Sequence, residues 1–242
     1  MIKIALTGVI VNGICIILGT IFGLFFTKIS ERIKDTVMVG IGLTVLLIGF
    51  SMALTSERII VILLSLVTGA IIGEGLDLEE KLNRLGSHIE VKFKKPGQNS
   101  RIAEGFVTAS LIFVIGAMAV VGALDSGLRG DHEVLFTKSI IDGFVALVLT
   151  TTMGFGVIFS VIPVVLYEGG IALFATQINA WIPKDMLDLF IEDMTSTGGL
   201  LIFAIGLNLL KITEIRVANL LPSLLTVGII LYVYLQVESW LM

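Results

Sequence analysis

Two copies of one sequence pattern lie far apart along this chain. The segment Gly42–Leu54 (GLTVLLIGFSMAL) matches Gly199–Lys211 (GLLIFAIGLNLLK) at a displacement of 157 residues. After a one-residue insertion Arg58 falls on Arg216, and the stretch LLSLVTGAII then falls on LPSLLTVGII. Repeats that point in opposite directions through a bilayer are typical of alternating-access transporters, in which two related halves rock about a central site. The pattern therefore predicts a transport architecture, provided that the chain spans a membrane an odd number of times between the copies.

The apolar character of the chain predicts a membrane protein. Of its 242 residues 56% are hydrophobic and only 15% are charged, and the mean hydropathy is +1.03. Soluble domains carry about a quarter charged residues. Apolar runs of about 18 residues or more recur along the whole length, and this is the length that a helix needs to cross a bilayer. Lipid offers no partner for backbone polar groups, so the spans must be helical.

We predict an all-α polytopic membrane protein with about eight transmembrane helices, forming a single transmembrane domain over residues 1–242. The predicted spans are approximately 4–27, 36–54, 59–76, 104–123, 138–153, 157–178, 197–211 and 217–236. Spans 1–3 and 6–8 form an inverted three-helix repeat. Repeat 1 covers about 4–76, repeat 2 covers about 157–236, and spans 4–5 at about 104–153 lie between them. Because the fifth span is short and an apolar turn follows it, residues 138–178 are alternatively one broken or re-entrant unit.

Basic residues collect on one side of the predicted membrane. Eleven of the sixteen Lys and Arg residues lie in the 28–35 and 77–103 segments or at positions 211 and 216, which eight spans place on the same side. Since basic loops are retained in the cytoplasm, we predict a cytoplasmic 77–103 loop and both termini outside. Apolar residues at helical spacing predict an amphipathic helix in this loop, lying on the membrane surface. Binding of a cytosolic partner is the alternative role for the loop.

One acidic residue is predicted to lie deep in the membrane. Glu168 falls near the middle of span 6, where a charged side chain costs about 2.5–3.5 kcal/mol on insertion scales. Spans 1 and 6 also align, more weakly, and this alignment pairs Asn12-Gly13 with Glu168-Gly169. Each half therefore carries one polar residue beside a glycine in its first span. Glu168 is predicted to be either a substrate, cation or proton site or a neutral side chain hydrogen-bonded between helices.

Two further acidic residues lie in spans 4 and 5. Asp142 follows Lys138 by four residues, which is the spacing of an ion pair on one helix face. It is either a coupling group or part of such a pair near the membrane interface. Asp125 ends span 4 among glycines, as part of an exterior turn or of an unwound site element.

Small polar residues mark the predicted start of span 7. The sequence TSTGG (Thr195–Gly199) is predicted to cap this span, after a separate short amphipathic helix at 183–194. A helix start with free N–H groups binds anions when it faces a cavity, and is otherwise an ordinary cap. Asn208 and its repeat partner Ser51 are predicted to be symmetric polar positions inside their helices.

The sequence carries no pattern of soluble enzyme chemistry. Its two histidines, His88 and His132, fall in segments that the predicted topology separates, and it contains no metal-ligand spacing, phosphate loop or nucleophile motif. A net charge of −4 gives no indication of nucleic-acid binding. We therefore expect no enzymatic activity, no cofactor and no metal site. The single Cys15 cannot form an intramolecular disulfide.

Several polar segments together resemble a known family. The motifs are FVIGAMAVVGALDSGLRGD, KSIIDGF, GFGVIFSVIPVVLYEGG, TSTGGLLIFAIGLNLL and ANLLPSLL. They resemble the domain-of-unknown-function 554 family (YdfK/YqgA-like) of prokaryotic inner-membrane proteins, and the resemblance covers essentially the whole chain. It implies a location in a prokaryotic plasma membrane. The family comprises uncharacterised integral membrane proteins, sometimes called transporters, with no established substrate or catalytic residues.

The sequence favours a secondary transporter or channel-like carrier of a small polar or ionic solute. The residues that we predict to line its path are Asn12, Asp125, Asp142, Glu168, Thr195, Thr197 and Asn208. The alternative is a membrane scaffold or sensor whose 77–103 loop binds a cytoplasmic partner. The predicted partners of the chain are the lipid bilayer and the small solute or ion. We also consider a homo-oligomer, because eight short spans offer little surrounding scaffold and the Gly19–Gly23 spacing suits close helix packing or a dimer face.

Overall fold

The computed structural model describes residues 5–26, 31–81, 84 and 102–241, and the regular secondary structure of these residues is helical, with no β-strand among them. This agrees with the predicted all-α class. A 3₁₀ helix at Gly154–Ser160 joins the sixth and seventh helices. The α-helices are α1 (Thr7–Phe25), α2 (Glu31–Ala53), α3 (Ile59–Leu76), α4 (Ile102–Val114), α5 (Ala117–Arg129), α6 (Glu133–Met153), α7 (Val161–Trp181), α8 (Lys184–Leu209), α9 (Val217–Leu220) and α10 (Ser223–Leu241).

The helices have the length and apolar surface of membrane spans. Within the described residues six are long and apolar enough to cross a bilayer, or seven if the bent pair α4 and α5 counts as one span. Large apolar side chains point outwards along them, as Leu47 and Ile59 do with 68% and 72% exposure. A soluble monomer rarely exposes such extended apolar surface, whereas lipid solvates it. The chain is therefore consistent with an α-helical membrane protein.

Each predicted span coincides with helix, but the fourth is not one straight helix. α4 and α5 meet at a bend of 60°. Gly116 stands at this break with a φ of 145°, a conformation that glycine adopts readily and other residues rarely do. The prediction of a continuous span over 104–123 is therefore wrong in this respect. Asp125 lies inside α5, so it belongs neither to a turn nor to an unwound element.

The region of predicted spans 5 and 6 contains two α-helices separated by a tight segment. α6 ends at Gly154, whose φ of 75° and ψ of −155° cannot continue a helix. Seven residues of 3₁₀ helix follow before α7 begins at Val161. By length and composition the stretch Glu133–Ala180 is one 48-residue candidate for crossing the membrane. A helix of that length would be far longer than the roughly 20 residues that a bilayer needs.

The seventh predicted span begins earlier than expected. α8 starts at Lys184, directly after Pro183, and continues for 26 residues. The 183–194 segment is therefore not a separate helix, and Thr195–Gly199 lies inside α8 rather than at its start. The predicted cap with free N–H groups is wrong. The polar run is buried along the helix instead, where Ser196 Oγ donates a hydrogen bond of 2.5 Å to the Ala53 carbonyl.

The contacts divide the chain into two compact units. The first comprises Met1–Ile41 and Asn83–Pro183, and the second comprises Gly42–Leu82 and Lys184–Met242. The helix α2 contributes its first part to one unit and its remainder to the other. Most of the 77–103 loop, with its predicted amphipathic helix, lies outside the described residues.

In the first unit α1 and α6 run parallel in close contact. Gly19 packs against Gly143, and Gly23 packs against Leu147 and Thr150. Higher residue numbers on α1 therefore meet higher residue numbers on α6. A Cβ at Gly19 would overlap the carbonyl oxygen of Gly143. The Gly19–Gly23 spacing thus supports helix packing inside this unit.

α7 packs on α1 in the opposite direction. Gly13 faces Val165, and Gly169 faces Val9. In the alignment of spans 1 and 6, Gly13 corresponds to Gly169 and Val9 to Val165. The two contacts are therefore equivalent, with the first and second copies exchanging roles.

The second unit shows the same reciprocity between α2 and α8. The backbone of Phe203 lies against Gly49, and Leu46 lies against Gly206. The repeat alignment relates Gly49 to Gly206 and Leu46 to Phe203. Because a higher position on α2 meets a lower one on α8, the two helices are antiparallel. Glycine at both positions permits this close crossing, since a Cβ at either would overlap its neighbour.

The repeat-related residues Arg58 and Arg216 occupy the same local turn. Their φ/ψ values are −82°/61° and −77°/75°, respectively. In each case the N–H of the following residue donates to the carbonyl of the preceding one, with N···O distances of 3.0 and 2.9 Å. This is an inverse γ-turn. One turn precedes α3 and the other precedes α9.

The glycine contact between α1 and α6 gives a test of the packing. We expect Gly19→Ala to lower the free energy of unfolding by about 1–3 kcal/mol, because the added methyl meets backbone that cannot move aside. Gly40→Ala is the control, since a Cβ at this helical position meets nothing within 4 Å. Unfolding of the two purified variants in detergent measures the difference, and equal stabilities would contradict the packing.

Candidate functional site

Four polar side chains meet in the buried interior of the first unit. They are Asn12 from α1, Lys138 and Asp142 from α6, and Glu168 from α7, with exposed fractions of 0%, 6%, 5% and 0%. Three helices therefore supply the cluster, which we call the charged cluster. Its position follows from the packing, because the parallel pair α1 and α6 and the antiparallel α7 bring these faces together.

Asn12 is the hydrogen-bond donor that joins the two acidic residues. Its Nδ2 donates to Asp142 Oδ2 at 3.1 Å and to the two carboxylate oxygens of Glu168 at 3.0 and 3.1 Å. Asn12 Oδ1 is buried and has no hydrogen-bond partner among the described residues. Asn12 and Glu168, which the sequence alignment relates as equivalent positions of the two repeats, are thus in direct contact.

Lys138 supplies the positive charge of the cluster. Its ammonium group is paired with Asp142 Oδ2 on the same helix, as the four-residue spacing predicts. The same Nζ lies 3.3 Å from Glu168 Oε1 on α7. The predicted ion pair is present, both of its side chains are buried within the protein, and it extends to a third residue. Lys138 was predicted only as a partner of Asp142, and nothing in the sequence marked its contact with Glu168.

The ionised groups of the cluster do not balance. Two carboxylates face one ammonium group, which leaves one net negative charge among Lys138, Asp142 and Glu168. An uncompensated charge in a low-dielectric interior is costly, and such groups acquire a proton, a counter-ion or a partner. A spanning helix that carries one is therefore a candidate for ion or proton handling. The chemistry that this charge imbalance favours is ion or proton binding.

The other predicted path residues lie elsewhere. Asp125 is in the first unit and pairs with Arg129 at 3.8 Å. Thr195 and Thr197 are buried in the second unit, and their hydroxyl groups have no hydrogen-bond partner among the described residues. Asn208, also in the second unit, accepts hydrogen bonds of 2.9 Å from Thr213 Oγ1 and the Ile215 N–H. It therefore holds the turn that follows α8.

A second ion pair, in which the carboxylate is fully buried and the arginine partly exposed, lies in the second unit. The Nε of Arg58 donates to Asp193 Oδ1 and Oδ2 at 3.0 and 3.1 Å, and Ser56 Oγ donates to Asp193 Oδ1 at 2.5 Å. The side chain of Asp193 is fully buried, whereas Glu192, which accepts from Arg58 Nη2 at 2.8 Å, is 46% exposed. Partial burial acts to lower the pKa of Arg58, but hydrogen bonds to Asp193 and Glu192 raise it above its ordinary value. The guanidinium therefore stays charged.

The repeat partner of Arg58 is also paired, but at the surface. Arg216 Nη1 lies 2.5 Å from Glu74 Oε1, and the two side chains are 65% and 59% exposed. Glu74 also accepts a hydrogen bond from Asn219 Nδ2. The two arginines therefore share a turn and differ in burial.

The described residues hold no group of three or more His, Cys, Asp and Glu side chains arranged to bind a metal ion. The charged cluster has two carboxylates and one amide.

Comparison with known proteins gives a family but no activity. A family model described as "Protein of unknown function (DUF554)" matches residues 7–232. The chain is 34% identical over 232 residues to "Uncharacterized membrane protein YdfK" of Bacillus subtilis (strain 168), covering 93% of this chain and 96% of the relative. It is 29% identical over 223 residues to "Uncharacterized protein YqgA" of Escherichia coli (strain K12), covering 90% and 93%. No solved structure matches the chain significantly.

The two repeat-related arginines form a matched pair for mutagenesis. Arg58→Gln leaves the carboxylate of Asp193 buried without its cation, so we expect a loss of about 3–5 kcal/mol in the free energy of unfolding. Arg216→Gln removes an exposed pair and is expected to cost about 0–1 kcal/mol. Unfolding of both purified variants in detergent measures these losses. Similar losses would show that the burial of Asp193 does not increase the contribution of its ion pair to stability.

Proposed function

The chain belongs to the DUF554 family of proteins of unknown function, and from this premise we propose that it is a secondary transporter or channel-like carrier of a small polar or ionic solute. The observation that carries the proposal is the buried charged cluster with its surplus carboxylate. Ionisable residues inside membrane spans are rare, and they commonly mark ion pathways and proton relays. The proposal assigns no catalytic reaction to the chain.

The proposed architecture has eight spans. α1 packs parallel to α6 and antiparallel to α7, which supports two crossings within the Glu133–Ala180 stretch. If α4 and α5 together form one span, the chain has seven candidate spans. Counting Glu133–Ala180 as two spans gives eight. In this arrangement spans 1–3 and 6–8 run in opposite directions, as an inverted repeat requires.

Three observations support the inverted repeat. The contacts between α1 and α7 are reciprocal, and so are those between α2 and α8. Arg58 and Arg216 adopt the same turn at equivalent positions of the two copies. In addition, Asn12 meets its aligned counterpart Glu168 directly. Two copies related by a twofold axis meet their own equivalents at that axis, so these contacts are the ones that such a repeat would produce.

The proposed mechanism is alternating access at the charged cluster. Asn12 belongs to the first repeat and Glu168 to the second, so a change in the packing of α1 against α7 would change their contact and the side from which the cluster is reached. We propose that the protein lies in a prokaryotic plasma membrane with both termini outside and the 77–103 loop in the cytoplasm. The scaffold alternative depends on that loop, most of which lies outside the described residues. Self-association stays a prediction.

Inversion of the repeat can be tested by the accessibility of introduced cysteines. Glu57 and Glu214 are exposed residues beside the two repeat-related arginines. In a Cys15→Ala background, Glu57→Cys and Glu214→Cys should react with a membrane-impermeant maleimide from opposite sides of the membrane. Whole cells and inverted vesicles give the two sides. Labelling of both positions from the same side would rule out the inverted arrangement.

Transport can be tested in liposomes that contain the purified protein and a trapped pH-sensitive dye. We expect imposed gradients of Na⁺, K⁺ or Li⁺ to drive a change of internal pH, or of cation content, that protein-free liposomes lack. Glu168→Gln should reduce the rate at least about tenfold, because it removes the surplus charge that carries the ion.

Glu133→Gln is the matched control for this experiment. It makes the same chemical change on α6 at an exposed position, and we expect it to leave the rate unchanged. Absence of any protein-dependent movement of protons or of these cations would contradict coupling through the cluster. Equal rates in the wild type and Glu168→Gln would remove Glu168 from the path.

A further inference from the structure

We propose that the charged cluster binds one monovalent metal cation of the Na⁺ class. Its ligands are the carboxylates of Asp142 and Glu168 together with Asn12 Oδ1, and the Lys138 ammonium group stays beside it as a fixed counter-charge. This inference rests on the proposed function, since it names the ion that the same site would take. Binding is nevertheless measurable without transport.

The charge balance of the cluster favours a monovalent ion. With both carboxylates ionised and Lys138 protonated, the group carries one net negative charge. One monovalent cation would neutralise it, whereas a divalent cation would leave one net positive charge in a buried environment of low dielectric constant. Ca²⁺ also takes six to eight oxygen ligands. Asp142, Glu168 and Asn12 together have at most five side-chain oxygens.

The unsatisfied oxygen of Asn12 points to the same conclusion. Asn12 is fully buried, and its Nδ2 contacts both carboxylates while its Oδ1 has no partner among the described residues. An amide carries two donors on nitrogen and an acceptor on oxygen. Oδ1 shares its amide carbon with the Nδ2 that donates three hydrogen bonds to the two carboxylates. A cation at the edge of the cluster would contact Oδ1 and a carboxylate oxygen together, and it would satisfy Oδ1 while Nδ2 keeps its hydrogen bonds.

Lys138 determines which ion the cluster prefers. Its Nζ already contacts Asp142 and lies 3.3 Å from Glu168 Oε1, so one positive charge is already paired with the oxygens of this site. Removing the ammonium group would leave two net negative charges. Without Lys138 the preference should therefore move from Na⁺ towards divalent cations.

The experiment is thermal unfolding of the full-length protein in detergent, in NaCl compared with choline chloride at equal ionic strength and pH. A cation that binds only the native state raises Tm by mass action. At Na⁺ concentrations near one hundred times Kd we expect the wild type to gain about 5 °C. CaCl₂ and MgCl₂ at matched ionic strength should raise Tm less than NaCl does.

Three variants and one control locate the effect. Glu168→Gln brings the net charge to zero and should abolish the Na⁺-dependent rise. Asn12→Ala keeps both carboxylates but removes the oxygen ligand, so about ten times more Na⁺ should be needed for half of the effect. Lys138→Gln should lose its preference for Na⁺ and gain stability from Ca²⁺. Glu133→Gln, at an exposed position of α6, should behave like the wild type.

Several outcomes would overturn the inference. Equal Tm of the wild type in NaCl and choline chloride would do so, and so would a greater rise with Ca²⁺ than with Na⁺. A Tm that follows pH but ignores Na⁺ would replace the cation with a proton. If Glu168→Gln does not fold, the wild-type comparison and Asn12→Ala still decide the matter.

The test separates this inference from the proposed function. Na⁺-dependent stabilisation without flux in liposomes would retain the cation site and reject transport. Flux of protons or solute without any effect of Na⁺ on Tm would retain transport and reject the cation site.

Discussion

The burial of one surplus carboxylate beside Lys138 is the constraint on which the first unit depends. Charged groups can stay in a low-dielectric interior only when other charges or hydrogen bonds reach them. Asp142 and Glu168 come from different helices, and Lys138 and the Asn12 amide contact both of them. These contacts require α1, α6 and α7 to pack in one arrangement. The glycine contacts make this arrangement possible, because Gly19 brings α1 against the backbone of α6.

The second unit meets the same physical requirement with a different pair. Asp193 lies fully buried on α8, and Arg58 reaches it from the turn before α3. The repeat partner of Arg58 pairs with the exposed Glu74 instead. The two backbone turns are equivalent, but the ion pairs that their arginines form differ in burial. Sequence similarity between the copies preserves the position of an arginine, whereas burial decides how much that arginine contributes to stability.

Much of the fold was predictable because apolar length and repeat spacing are local signals in the sequence. Helices occupy the predicted spans, and the alignment relates Asn12 to Glu168 as equivalent positions, whereas their hydrogen bond is visible only in the structure. The errors lie where tertiary contacts override local preference. Thr195–Gly199 has the composition of a helix cap, yet it lies buried inside α8, where Gly199 packs against the backbone of Met52 and Ala53. The contact of Lys138 with Glu168 joins helices that no sequence spacing relates.

The charged cluster combines a symmetric pair with an asymmetric one. Asn12 and Glu168 are aligned positions of the two repeats, whereas Lys138 and Asp142 belong to α6, which the repeat alignment leaves out. Because α6 packs tightly and in parallel along α1, it would move together with α1. If the proposed transport changes the packing of α7 on α1, the Lys138–Asp142 pair would therefore persist, and the contacts of Glu168 with Asn12 and Lys138 would be the ones that change. Within the charged cluster, Glu168 would then be the acidic group whose access alternates, and the surplus charge would reside with it when those contacts open.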